Sequence, residues 1–107
     1  MYIFNLFHIM DHIIEQKDNV IHDYYIIDGK KEGEYKKFYE NGNILIVCNY
    51  INGKKEGEYK EYYINGNIKF ICIYVNNKRN GVCKSYYQDG NLKSICNFIK
   101  DRKSTRL

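Results

Sequence analysis

The chain has no proline, no tryptophan and no alanine among its 107 residues. Alanine is the favoured filler of helices, so its absence argues against a helical bundle. Hydroxyl nucleophiles are nearly missing: Ser85, Ser94, Ser104 and Thr105 are the whole supply, and His8, His12 and His22 all lie far from them in sequence. No serine sits on a nucleophile elbow, and no catalytic triad can be assembled by spacing. Apolar runs stop well short of the ~18 residues a membrane-spanning helix needs. From Met1 to Ile14 there is no basic residue and no small residue to mark a cleavage site, so the segment does not read as a secretory signal. Four cysteines without an export signal lead us to expect an intracellular protein, cytoplasmic or peripheral to a membrane, with reduced thiols.

What is abundant points to strands. Twelve tyrosines and a hydrophobic share of 44% supply strand formers and enough apolar surface for one small folded domain. The formal charge of +4 is uneven, acidic before residue 28 and basic after it.

Aligning the chain with itself exposes a period of 24 residues. Residues 28–51 read DGKKEGEYKKFYENGNILIVCNYI, 52–75 read NGKKEGEYKEYYINGNIKFICIYV and 76–99 read NNKRNGVCKSYYQDGNLKSICNFI, without insertion or deletion. Partial units flank them at 20–27 and 100–107. Asn41-Gly42, Asn65-Gly66 and Asp89-Gly90 stand between strand-like runs and read as two-residue type I′ hairpin turns. Strands are expected at 20–27, 33–39, 44–51, 57–63, 68–75, 81–87 and 92–99. The fold is then mainly β: an elongated antiparallel meander of hairpin repeats, with equivalent residues stacked in columns about 10 Å apart.

Such turns set the register. One face carries Tyr35, Tyr39, Ile44, Ile46, Cys48 and Tyr50, with Tyr59, Tyr63, Ile68, Phe70, Cys72 and Tyr74 stacked beside them; the other mixes Lys36, Lys60 and Lys84 with Val47, Ile71 and Ile95. Cys83 falls opposite Cys96, a candidate cross-strand thiol pair, where the earlier units place Tyr35 opposite Cys48 and Tyr59 opposite Cys72. The simpler reading makes the column cysteines Cys48, Cys72 and Cys96 small core hydrophobes, too far apart to bridge one another. A three-residue turn would shift the register and separate Cys83 from Cys96.

The ends differ from the array. Ile3, Leu6, Phe7, Met10, Ile13, Ile14 and Lys17 follow helical spacing, which predicts an amphipathic helix over 2–17, within a cap at 1–19 that covers the first strand of the repeats at 20–107. At the far end, strand 92–99 is left with a free edge. The charged tail guards it, or a second copy pairs with it as a homodimer.

Two sets of residues are weighed as sites. Lys30-Lys31, Lys54-Lys55, Lys78-Arg79 and Arg102-Lys103 recur in one register, a candidate basic column for an anionic surface. The plainer reading is solubilising lysines in turns, partly neutralised by Glu32 and Glu56. Tyrosines near these cations offer stacking for single-stranded nucleic acid, a partner class the sequence does not favour. His8 and His12 stand four apart on the expected helix, with His22 or Glu15 as a third ligand, yet solvated polar-face histidines are far commoner than metal sites, and none is expected. No cofactor is implied.

The pattern Gly53-Lys54, Gly57, Lys60, Tyr62-Tyr63, Gly66-Asn67 and Ile68 resembles the MORN repeat (membrane occupation and recognition nexus), in a form close to the bacterial variant of antitoxin-like proteins. The likeness covers residues 20–103. It departs from the standard motif in lacking the tryptophan and the His-Gly pair, and the third unit has Asn77 for glycine and Cys83 for tyrosine. The resemblance implies a hairpin per repeat in a curved sheet used for protein contacts, dimerisation or attachment near phospholipid. The expected function is a non-enzymatic interaction scaffold with a protein partner; the alternatives are a peripheral binder of anionic membrane or phosphoinositide, and an antitoxin-like inhibitor of a partner protein.

Overall fold

A computed structural model describes residues 9–104, with the side chains of 9–103. Among them every regular element is a strand: β1 Met10–Lys17, β2 Val20–Ile27, β3 Lys30–Lys31, β4 Gly33–Phe38, β5 Ile44–Ile51, β6 Lys54–Lys55, β7 Gly57–Tyr62, β8 Ile68–Val75, β9 Lys78–Arg79, β10 Gly81–Tyr86, β11 Leu92–Ile99 and β12 Arg102–Ser104. They form one antiparallel sheet in the order β1-β2-β4-β5-β7-β8-β10-β11-β12, with the two-residue strands β3, β6 and β9 pairing β2, β5 and β8. The array measures 50 × 35 × 21 Å. Each hairpin lies beside the last, so a linear repeat in sequence becomes a linear meander in space.

The expected N-terminal helix is corrected over Met10–Lys17, which is a strand; residues 2–8 lie outside the described residues. Eight consecutive pairs, from Met10 opposite Ile27 to Lys17 opposite Val20, join β1 to β2. Asp18 and Asn19 make the turn with φ of 54° and 64°. Two positive φ values in a two-residue loop are the type I′ geometry, which matches strand twist and favours Asn and Asp. Local helical spacing loses because a helix of this length is marginal alone, whereas a hairpin here extends an existing sheet.

The same geometry recurs between units, not within them. Asp28-Gly29, Asn52-Gly53, Asn76-Asn77 and Lys100-Asp101 all have positive φ at both positions. Within units, the expected type I′ turns are corrected. At Asn41-Gly42 only the glycine is positive, at 91°; Gly42 N–H donates to Tyr39 O at 2.9 Å and Tyr39 N–H to Asn43 O at 2.8 Å. That is a three-residue loop with a left-handed glycine, repeated at Tyr63–Asn67 and Tyr87–Asn91. It should displace the register by one, but β5 carries an extra residue where Phe38 pairs Ile44 and Lys37 pairs Ile46. Loop and bulge cancel, so Tyr35 faces Cys48, Tyr59 faces Cys72 and Cys83 faces Cys96.

A single transverse row forms the core. The ladders set Ile13 opposite Tyr24 and Tyr35 opposite Cys48, and one step beyond the pairs Asp23–Lys36, Val47–Lys60 and Ile71–Lys84 they set Tyr24 beside Tyr35, Cys48 beside Tyr59 and Cys72 beside Cys83. The row runs Ile13, Tyr24, Tyr35, Cys48, Tyr59, Cys72, Cys83, Cys96. Among the described residues the four buried hydrophobic side chains all belong to it: Tyr35, Cys48, Cys72 and Cys83. Among the described residues the sheet has no second layer to bury against, so only the centre of one face, roofed by its own long side chains, is sealed from water.

Repeats are tied by hydrogen bonds that follow the period. Tyr39 Oη donates to Tyr62 O at 2.6 Å and Tyr63 Oη to Tyr86 O at 2.7 Å. Glu32 accepts from Asn52 N–H at 2.7 Å, Glu56 from Asn76 N–H at 2.6 Å and Asn80 from Lys100 N–H at 3.2 Å. Glu32 and Glu56, read from sequence as charge balance, thus also anchor the turn of the next unit. At the far end the tail forms β12, pairing Asn97 with Ser104 through Ile99 with Arg102. This leaves the outer edge of Leu92–Cys96 uncovered among the described residues.

Candidate functional site

The eight cations of the proposed column divide between two faces. Backbone alternation sends the second of each pair to the tyrosine face: Lys55 lies opposite Tyr50, Arg79 opposite Tyr74 and Lys103 opposite Phe98. Lys31 Nζ stands 5.6, 5.1 and 5.3 Å from the ring centres of Tyr24, Tyr35 and Tyr50. Lys55 Nζ is 5.2 and 5.0 Å from Tyr59 and Tyr74, and the Arg79 guanidinium 4.3 Å from Phe98. These cations roof the aromatic row, with their stems covering ring surface. Lys30, Lys54, Lys78 and Arg102 are exposed and belong to the opposite side of the pleat.

On the tyrosine face Lys31, Lys37 and Lys55 surround a small cavity of about 150 Å³ with Tyr35, Ile46, Cys48, Tyr50 and Tyr59. No carboxylate of the described residues pairs with these three ammonium groups. Burial pushes the Tyr50 phenol up to about 12 and raises Tyr35, Tyr59 and Tyr74 as well, so the hydroxyls remain protonated and neutral. Acidic groups flank the cavity at a distance: Glu61 accepts from Tyr59 Oη at 3.3 Å and meets Lys69 at 3.6 Å, and Glu15 accepts from Tyr24 Oη at 3.2 Å. Beyond it, Arg79 and Asp101 pair at 2.5 Å, which holds the Asp101 carboxyl below its usual range.

The opposite face carries an open apolar groove bordered by charged side chains. Glu58, Ile71, Ile73, Val82, Lys84, Tyr86 and Ile95 line a groove of about 480 Å³. Val82 and Ile95, which line it, are 47% and 41% exposed. Lys60 pairs with Glu58 at 3.3 Å and Lys36 with Glu34 at 3.2 Å, repeating a charged border along this face.

The four cysteines are free. Cys83 and Cys96 are direct cross-strand partners, as the register required. Sequence reasoning missed the second neighbour: Cys83 also stands beside Cys72, whose thiol donates to Ile73 O at 3.6 Å. The signal was present, since extending the hairpin register across the repeat boundary places Cys72 there.

The histidines serve strands. His12 Nε2 is 2.7 Å from Asp23 Oδ1 and its ring stacks on Tyr25 at 4.5 Å. His22 Nδ1 is 3.0 Å from Tyr35 Oη. With His12 on a strand, the helical four-residue spacing to His8 has no meaning, and His8 lies outside the described residues.

A family model described as MORN repeat variant matches residues 31–52, 55–76 and 79–100, three consecutive units. No curated protein matches the chain significantly. Period, hairpin geometry and the matched residues agree, and the chain belongs to the MORN repeat variant family, a non-enzymatic class of protein- and membrane-interaction modules.

Proposed function

We propose that this chain is an interaction scaffold that engages a protein partner through the apolar groove opposite the tyrosines. The observation that carries this is the groove of half-buried Ile71 and exposed Ile73, Val82 and Ile95, bordered by Glu58 and Lys84, on a sheet with no second layer among the described residues. A protein surface covering it would bury apolar side chains at about 25 cal/mol per Å² while the charged border fixes orientation. A photoreactive residue placed at Ile73 or Ile95 of the full chain, in cells of its source, tests this. Discrete protein adducts at both positions, lost when Val82→Glu is added, are expected; labelling no different from that at Lys30 on the turn edge overturns the reading.

A second reading rests on the exposed file Lys30, Lys54, Lys78 and Arg102, which faces an anionic membrane or phosphoinositide surface at intervals of about 10 Å. Each cation near such a surface contributes about 1 kcal/mol, screened by salt. Flotation with anionic liposomes, lost on combining Lys54→Glu with Lys78→Glu, supports it; no flotation at low salt removes it. Inhibition of a partner enzyme and homodimerisation through the free edge of β11 are further forms the scaffold reading takes.

A further inference from the structure

Three thiols in a line form a feature that no other part of the repeat shares. Across β8, β10 and β11 the tyrosine-face row reads Cys72, Cys83, Cys96 on neighbouring strands, where earlier units interpose Tyr35 and Tyr59 between cysteines. Cross-strand partners have Cα atoms about 4.5–5.5 Å apart, inside the range a disulfide accepts. Cys72 and Cys96 are two strands apart, about 10 Å, and cannot join directly. Cys48 has only Tyr35 and Tyr59 beside it in the row. Every bridge the native sheet allows therefore contains Cys83.

Access is graded along the row. Cys72 and Cys83 are 1% and 3% exposed, while Cys96 is only partly buried and lies on the strand whose outer edge is uncovered. An oxidant from solvent meets Cys96 first.

We propose that Cys72, Cys83 and Cys96 form an oxidation site for hydrogen peroxide or a related hydroperoxide, with Cys96 the entry thiol and Cys83 the resolving thiol shared by both neighbours. The Cys96 thiolate attacks peroxide, the O–O bond breaks, and hydroxide leaves a sulfenic acid on sulfur. Cys83 then attacks that sulfur as thiolate; the S–S bond forms, the S–O bond breaks, and the departing hydroxide takes up a proton as water. Two thiols are oxidised by two electrons and one peroxide is reduced to two waters. From the product, Cys72 thiolate attacks the Cys83 sulfur, forms the Cys72–Cys83 bond and releases Cys96 as thiolate. Attacking, central and leaving sulfurs occupy three successive strands, which is the in-line order this exchange requires. Burial first, and then the neighbouring Cys83 thiol, push the Cys72 thiol up to about 12. It therefore stays protonated and unreactive at neutral pH, and exchange grows as pH rises.

The test treats the reduced full chain with hydrogen peroxide, alkylates remaining thiols and maps bridged peptides by mass spectrometry. The expected result at neutral pH is a Cys83–Cys96 bridge within one chain, with loss of two hydrogens and two alkylation sites and with Cys48 still alkylated. In oxidised protein held at increasing pH before quenching, a Cys72–Cys83 bridge should grow at the expense of the first, and Cys72→Ala should remove only that second species. Cys83→Ser, and Cys83→Tyr with the residue the earlier repeats carry, should both lack any intramolecular bridge and leave a sulfenic acid at Cys96 that dimedone traps. An intramolecular bridge without Cys83, one that survives both Cys83 variants, or full alkylation after peroxide overturns the site. A bridge fixed at Cys83–Cys96 at every pH overturns the exchange.

Discussion

His22 lies between a phenol and an ammonium: its Nδ1 is 3.0 Å from Tyr35 Oη, and Lys37 is its ladder partner. Burial first, and then the charge of Lys37, lower its pKa below the ordinary 6.5, with Glu15 opposing. The folded state thus prefers the neutral ring: Tyr35 Oη can donate to a neutral Nδ1 or accept from a protonated one, so the penalty on the charged ring is its burial and the charge of Lys37. A lowered folded pKa means that protons bind the unfolded chain more readily. The contribution is complete above pH 6.5 and is lost as pH falls from there through the folded value. Urea unfolding across this window should show the native protein losing stability relative to His22→Gln, which cannot titrate; parallel profiles would remove His22 as the source. The pairing of Tyr35 with Cys48 was legible from register. That Lys31, Lys55 and Arg79 would roof the rings was not. In sequence they are half of a charged doublet, and only the alternation imposed by a preceding type I′ turn sends the second member inward.

Among elements, the loops decide how units cohere. Tyr39 and Tyr63 close their own three-residue loops through the backbone and reach into the next unit through their hydroxyls. The equivalent Tyr87 is 52% exposed. Removing one such neutral hydrogen bond typically costs about 1 kcal/mol, more if the carbonyl is left dry. Tyr63→Phe should therefore lower stability by about 1 kcal/mol, while Tyr87→Phe should fall within about 0.5 kcal/mol of native, as substitutions at exposed sites usually do. Denaturant midpoints for the two variants check the contrast, and equal losses would show that Tyr63 acts through its ring and not its hydroxyl. The strands were legible because Ile, Tyr and Cys recur at a period that admits one hairpin per unit. The turns were not: Asn-Gly occurs both at Asn41-Gly42 and at Asn52-Gly53, and the dipeptide alone does not distinguish a three-residue loop from a type I′ turn. Register survived that error because the extra residue in β5, β8 and β11 restores the count. The strand at Met10–Lys17 was missed for another reason. Its partner β2 lies outside the clear repeats, so no period announced the pairing.

At the scale of the whole molecule, stability should be distributed like the row that seals it. The described residues form a meander without a second layer, in which strands touch their neighbours, so its free energy is close to a sum over adjacent hairpins, and an opening at one end need not unfold the other. Burial is deepest at Tyr35, Cys48, Cys72 and Cys83 and relaxes at Tyr24 and Cys96. Amide exchange should consequently be slowest in β5 and β8, which carry Cys48 and Cys72, and fastest in β1 and β12. Cys72→Ser puts a hydroxyl where the thiol is 1% exposed, at a cost of about 1–3 kcal/mol. In a modular array that cost belongs to β7, β8 and β10, whose amides should exchange about 5- to 150-fold faster while β2 keeps its native rate. Were the chain instead a single cooperative unit, its most protected amides would all accelerate together, β2 included. Mass-spectrometric exchange of the two proteins separates these outcomes. The local outcome also bears on function, because a scaffold whose end hairpins open independently can adapt its β11 edge to a partner without loosening the face at Ile71 and Ile73.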